Sequence, residues 1–118
     1  MQVIVLVKAN KASEEGQMPS QELMTKMGAF NQELINAGIM LNGAGLEASS
    51  KGKRMRFSGP APLVTDGPFA ETKELVSGFW IWKVESMEQA VELAKRAPFP
   101  PELLQQLPAH AWPRNYYQ

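Results

Sequence analysis

Apolar and polar positions along the chain fall into two kinds of pattern. Val3-Ile4-Val5-Leu6-Val7 is a continuous aliphatic run, too short for a helix and of the kind found in strands covered on both faces. After a polar stretch from Lys8 to Pro19, Leu23, Met27, Phe30 and Leu34 recur at helical spacing with Ile35 alongside. They form the apolar stripe of an amphipathic helix, in which Met24 and Met27 read as core filler. Ser20 stands where an N-cap belongs, Glu22 lies in the first turn where the helix dipole favours a carboxylate, and Ala37-Gly38 supplies a left-handed stop. Ile39 to Leu46 reads as a second strand. Its interior glycines, Gly43 and Gly45, predict a bulge or the wall of a pocket. Lys53–Phe57 and Ala61–Thr65 flank Ser58-Gly59-Pro60 as a hairpin or a long excursion.

Ser77 to Glu85 is the most informative strand. Alternation sends Phe79 and Ile81 to one face and Trp80, Trp82 and Val84 to the other, so both faces are large and apolar. Ser86-Met87-Glu88-Gln89 is a capping box, and Met87, Ala90, Val91 and Ala94 form the stripe of the helix it starts, which ends before Pro98. Two helices cover one face of a sheet. The tryptophan face is therefore expected to need another cover, and a second copy of the same sheet would supply it. Strand, helix, strand with an excursion, strand, helix is a ferredoxin-like βαββαβ unit up to its last strand.

Candidate chemistry gathers at Asp66-Gly67-Pro68-Phe69-Ala70-Glu71-Thr72-Lys73-Glu74. Asp can accept backbone N–H bonds at the start of a turn, Gly tolerates positive φ, and Pro fixes its own φ and pushes Gly67 away from helix. On this basis the stretch is a turn plugged by Phe69. A carboxylate held by backbone donors beside a lysine also suits a general base or a polar ligand site. Asp66, Glu71 and Glu74 offer oxygens to a hard cation, but no ordered spacing demands one, so neither metal nor cofactor is expected.

Composition narrows the classes. The chain of 118 residues is expected to form one domain. Twelve basic residues balance twelve acidic ones, and the local patch Lys51, Lys53, Arg54 and Arg56 has no interleaved aromatics, so nucleic acid is not an expected partner. No cysteine is present, which excludes thiol catalysis and thiolate metal sites. The amino-terminal run is neither a signal peptide nor a membrane span, and a cytoplasmic location without membrane contact is expected.

Val64-Thr65-Asp66-Gly67-Pro68-Phe69-Ala70-Glu71-Thr72-Lys73-Glu74, followed by Ser77-Gly78-Phe79, resembles the signature of the YCII-related, DGPF-domain family. Ala29-Phe30-Asn31-Gln32-Glu33-Leu34 with Ala37-Gly38, and Glu92-Leu93-Ala94, resemble it too. The resemblance covers residues 1–97. It implies an α+β fold, a ferredoxin-like βαββαβ sandwich forming a dimeric α+β barrel, with a small-molecule cleft near the dimer interface. It also implies cofactor-independent acid–base chemistry in some relatives. Two departures stand out. The His/Asp pair of the better-described branch has no counterpart here: Asn31 is the nearest polar residue in the first helix, and Ala97 stands where the aspartate would be sought. From residue 98 to 118 an atypical Pro-rich tail, with the single His110, replaces the expected regular last strand.

Three functions fit these residues. In an enzyme, Asp66 would act as base with Lys73 as its charge partner, and Phe69, Glu71, Trp80 and Trp82 would contact substrate. A non-catalytic metabolite-binding or regulatory module would use the same cleft. In the third reading the Asp-Gly-Pro-Phe turn is purely structural.

Overall fold

The structure, a computed structural model, describes residues 1–70 and 74–99, and the backbone alone at 109–113. In chain order its elements are β1 (Gln2–Lys8), α1 (Lys11–Glu14), α2 (Gln21–Asn36), β2 (Met40–Gly45), β3 (Lys53–Arg56), β4 (Leu63–Asp66), β5 (Val76–Lys83), α3 (Met87–Lys95) and β6 (Ala109–Pro113). The strands form a four-stranded antiparallel sheet in the order β2-β5-β1-β6, and β3 and β4 pair separately. This is the ferredoxin-like α+β arrangement, with the β3–β4 hairpin as an insertion. No helix among the described residues is long and apolar enough to cross a membrane.

The helix ends follow from local chemistry. Ser20 Oγ accepts the Leu23 N–H at 3.1 Å, and Gly38 takes φ +74° at the other end of α2. Ser86 Oγ accepts the Gln89 N–H at 3.1 Å, while Gln89 Oε1 reaches back to the Glu85 N–H at 2.7 Å. The polar stretch before α2 holds an unexpected short helix, α1, because Asn10 and Ser13 satisfy each other's backbone amides in a capping box.

Both long helices pack on one face of the sheet, and it is the tryptophan face. Trp80, Trp82 and Val84 are buried against Phe30, Leu34, Ala90 and Leu93, with Val3, Val5 and Val7 beside them from β1. Register explains the grouping, since Val3 lies opposite Trp82 and Val5 opposite Trp80. The expectation that a second copy would cover the tryptophans is thus corrected. Alternation shows that both faces are apolar, but not which of them the helices take. Phe30 meets Trp80 and Trp82 edge-on, with ring centroids at 6.1 and 6.4 Å, and the small Ala90 is fully buried in the same cluster. The opposite face, on which neither α2 nor α3 packs, carries Ile4 opposite Ile81 and Leu6 opposite Phe79, all half-buried.

Two further differences concern strands. The predicted bulge in β2 exists, but the register shifts between Met40 and Asn42, ahead of the glycines. The tail does contribute a strand: Ala109–Pro113 pairs antiparallel with β1, placing Ala111 opposite Val5 and His110 opposite Leu6. That corrects the expectation of a tail in place of a regular last strand. Pro113 ends an edge strand, where a missing donor is tolerated.

Leu34 is 1% exposed and Ile35 beside it is 48% exposed. Leu34→Ala is expected to cost about 2–5 kcal/mol in urea unfolding, and Ile35→Ala under about 1 kcal/mol. Equal costs would contradict the helix orientation described here.

Candidate functional site

The Asp-Gly-Pro-Phe turn sits at the base of the hairpin. All eight residues of β3 and β4 are exposed. Asp66 lies opposite Lys53 in the register, and its carboxylate accepts from Lys53 Nζ at 2.5 Å, the two side chains being 75% and 65% exposed. Gly67 donates its N–H to the Gly52 carbonyl at 3.0 Å. Its φ is not positive. What requires glycine is proximity, since a Cβ there would lie 1.7 Å from the Ser49 carbonyl oxygen.

Ser49 ties three segments together. Its Oγ accepts the Phe69 N–H at 3.0 Å. Its hydroxyl donates to one oxygen of the Glu14 carboxylate, and its N–H donates to the other at 2.8 Å. The half-buried Phe69 ring lies under the Arg54 guanidinium, 4.2 Å from carbon to centroid, as a cation–π contact. Lys53, Gly52, Ser49 and Arg54 are therefore the turn's partners among the described residues, and Glu14 holds Ser49. Glu71 and Lys73, named from the sequence as ligand contact and charge partner, lie outside the described residues.

A cavity of about 420 Å³ opens elsewhere, between α2 and the β2–β5 side of the sheet. Met27, Met40, Trp80 and Phe99 give it apolar walls, and Asn31 and Ser77 are its polar side chains. Asn31 Oδ1 accepts from Trp80 Nε1 at 2.9 Å, and the Trp80 and Phe99 ring centroids are 6.4 Å apart. Gly43 forms part of the wall because its missing side chain makes room: a Cβ there would meet Met40 Cε at 2.9 Å and Trp80 Cδ1 at 3.0 Å. None of the described lining residues carries a charge.

The predicted site residues thus separate. Trp80 lines the cavity, Trp82 is fully buried and is not on its wall, and Asp66 and Phe69 belong to the hairpin base. Sequence reasoning assigned Met27 to the core and noticed Asn31 only where a histidine might have stood. The available signal was a polar residue four positions after Met27, at the margin of an apolar helical stripe.

Comparison with known proteins adds three findings. The YCII-related domain family model matches residues 1–104. An uncharacterised protein of Rhizobium meliloti (strain 1021) is 31% identical over 75 residues, which are 64% of this chain and 60% of that protein. The match therefore spans about three fifths of that relative's length. Among solved structures, 5-chloro-2-hydroxyhydroquinone dehydrochlorinase (TftG) from Burkholderia phenoliruptrix AC1100, in complex with 2,5-dihydroxybenzoquinone, shares the fold. Its TM-score is 0.51 at 12% identity, covering 98% of this chain and 96% of its own.

The geometry of the turn predicts opposite outcomes for neighbouring substitutions. Gly67→Ala should destabilise the protein by about 3 kcal/mol or more, because backbone rather than a movable side chain stands in the way. Asp66→Asn should change urea stability by no more than about 0.5 kcal/mol, as befits an exposed ion pair. A tolerated Gly67→Ala would show that the close approach to Ser49 is not needed.

Proposed function

Because the chain belongs to the YCII-related family, and because its fold carries a ligand-sized hollow beside α2, we propose that it binds a small organic molecule in the Met27–Asn31–Trp80–Phe99 cavity. The observation that carries this reading is the composition of the wall: apolar and aromatic surface around a small number of oriented polar groups, the usual make-up of a small-molecule site. The volume, about 420 Å³, lies within the usual range for such sites. A protein of the same fold holds a single-ring quinone in its complex, which is consistent with that scale.

The uncharged wall favours binding without proton transfer by the pocket's own described side chains. The acid–base alternative uses Asp66 with Lys73. Its supporting observation is an exposed carboxylate held in place by Lys53 at a turn anchored through Ser49. In that reading a further surface has to enclose the substrate against Asp66.

The partner we propose is a second copy, docked on the sheet face opposite α2 and α3. Ile4, Leu6, Phe79 and Ile81 form a four-residue apolar patch across two paired strands. Such a patch is self-complementary about a two-fold axis, and the pairing would close a barrel of the kind the family resemblance implies.

Two measurements test these readings. Sedimentation velocity should show a dimer, and Phe79→Glu should give a folded monomer; a wild-type monomer at tens of micromolar would remove the partner proposal. Binding of small aromatic molecules should shift the Trp80 indole N–H resonance. Gly43→Ala, which crowds Met40 and Trp80, should weaken that binding about tenfold, equivalent to about 1.4 kcal/mol. Unchanged affinity would place the ligand outside this cavity.

A further inference from the structure

Among the described side chains of the cavity wall, one amide supplies the free hydrogen-bond donors. An indole N–H can only donate, so the Asn31 atom facing Trp80 is Oδ1, at 2.9 Å. That contact orients the whole side chain. Asn31 Nδ2 has no protein partner among the described residues, and Asn31 lines the cavity, so the NH₂ group is left for whatever occupies it. The second polar side chain has its hydrogen engaged, because Ser77 Oγ donates towards the Val7 and Lys8 carbonyls at 3.3 Å each, so it meets a ligand only as an acceptor. The cavity therefore offers a ligand one oriented side-chain donor group, the Asn31 amide.

We infer that the site selects a neutral molecule with an apolar, ring-sized body and one hydrogen-bond acceptor, such as a ketone, quinone, amide or ester carbonyl, and that Asn31 Nδ2 is the group that recognises it. The inference rests on the binding reading above and narrows it. Three kinds of ligand are distinguished by the same wall. An acceptor-bearing neutral ring satisfies Nδ2. A ring without an acceptor leaves that donor dehydrated and unpaired, which costs binding free energy. An ionised carboxylate finds a donor but no counter-charge, since none of the described lining residues is cationic, and it gives up its hydration on entry. Trp80 is the positioning residue: it touches the apolar body and, through its N–H, holds the amide in the recognising orientation.

The experiment uses three matched single-ring probes, acetophenone, ethylbenzene and benzoate, titrated into the full chain labelled with ¹⁵N. The Asn31 side-chain amide and Trp80 indole signals are followed. Acetophenone is expected to bind about tenfold more tightly than either other probe and to move both Asn31 amide protons. Asn31→Asp keeps an oxygen for the Trp80 N–H but removes the donor pair. It should abolish the preference for acetophenone over ethylbenzene. Should Asn31→Asp fail to fold, the probe ranking and amide shifts in the unmodified protein decide alone. Equal binding of acetophenone and ethylbenzene, or tighter binding of benzoate, overturns the inference while the cavity remains a binding site. No binding by any probe overturns the inference and the binding reading together.

Discussion

Phe30 meets both Trp80 and Trp82 at steep ring angles, and that three-ring contact, with Leu34 beside it, joins α2 to the sheet. Everything on the helical side depends on it. The two indoles are tilted against each other with centroids 5.4 Å apart, and with Leu34 and Val3 they fill the space beneath α2. Offset and edge-on ring contacts add to the area they bury, so the cluster is both the largest apolar mass in the core and its most directional part. It sets the height of α2 above β5, and that height leaves a hollow at one end where Gly43 replaces a side chain.

The same tryptophans divide between the sealed core and the cavity wall. Trp82, sealed in the core, leaves its Nε1 without a hydrogen-bond partner among the described residues. A buried unpaired donor is tolerated there because the ring's packing outweighs the lost bond, of order 1–3 kcal/mol. Trp80, two residues earlier on the same face, reaches Asn31 and sits on the cavity wall. One strand position thus serves the core alone and the next in register serves both core and cavity.

Much of this was legible in the chain. Strand and helix order, the caps at Ser20 and Ser86 and the stop at Gly38 all follow from rules that act within a few residues. So does the hairpin of residues 53–66. Which sheet face the helices take was not legible, because Phe79 and Ile81 make the opposite face apolar as well and only cross-strand register with Val3 and Val5 groups the tryptophans with the valines. The tail strand was hidden by its prolines, since a single-chain reading cannot tell that residues 109–113 occupy an edge. The cavity was hidden for a different reason. Asn31, Gly43 and Trp80 come from three elements, and no local pattern brings them together.

The Asp-Gly-Pro-Phe turn shows one physical reason why a sequence signature stands out. Among the described residues, the turn's identities answer to close contacts: Gly67 because the Ser49 carbonyl oxygen lies where a Cβ would be, and Phe69 because its ring lies under the Arg54 guanidinium while its N–H meets Ser49 Oγ. Ser49 in turn is held by Glu14 from the short helix after β1. Segments about 20 and 35 residues apart in sequence are thereby pinned at one point, a constraint that few residue combinations satisfy. A cavity wall makes weaker demands, because many side chains supply apolar surface. A signature therefore stands out where the backbone is crowded, and a hollow such as the one beside Asn31 can form where the sequence looks ordinary.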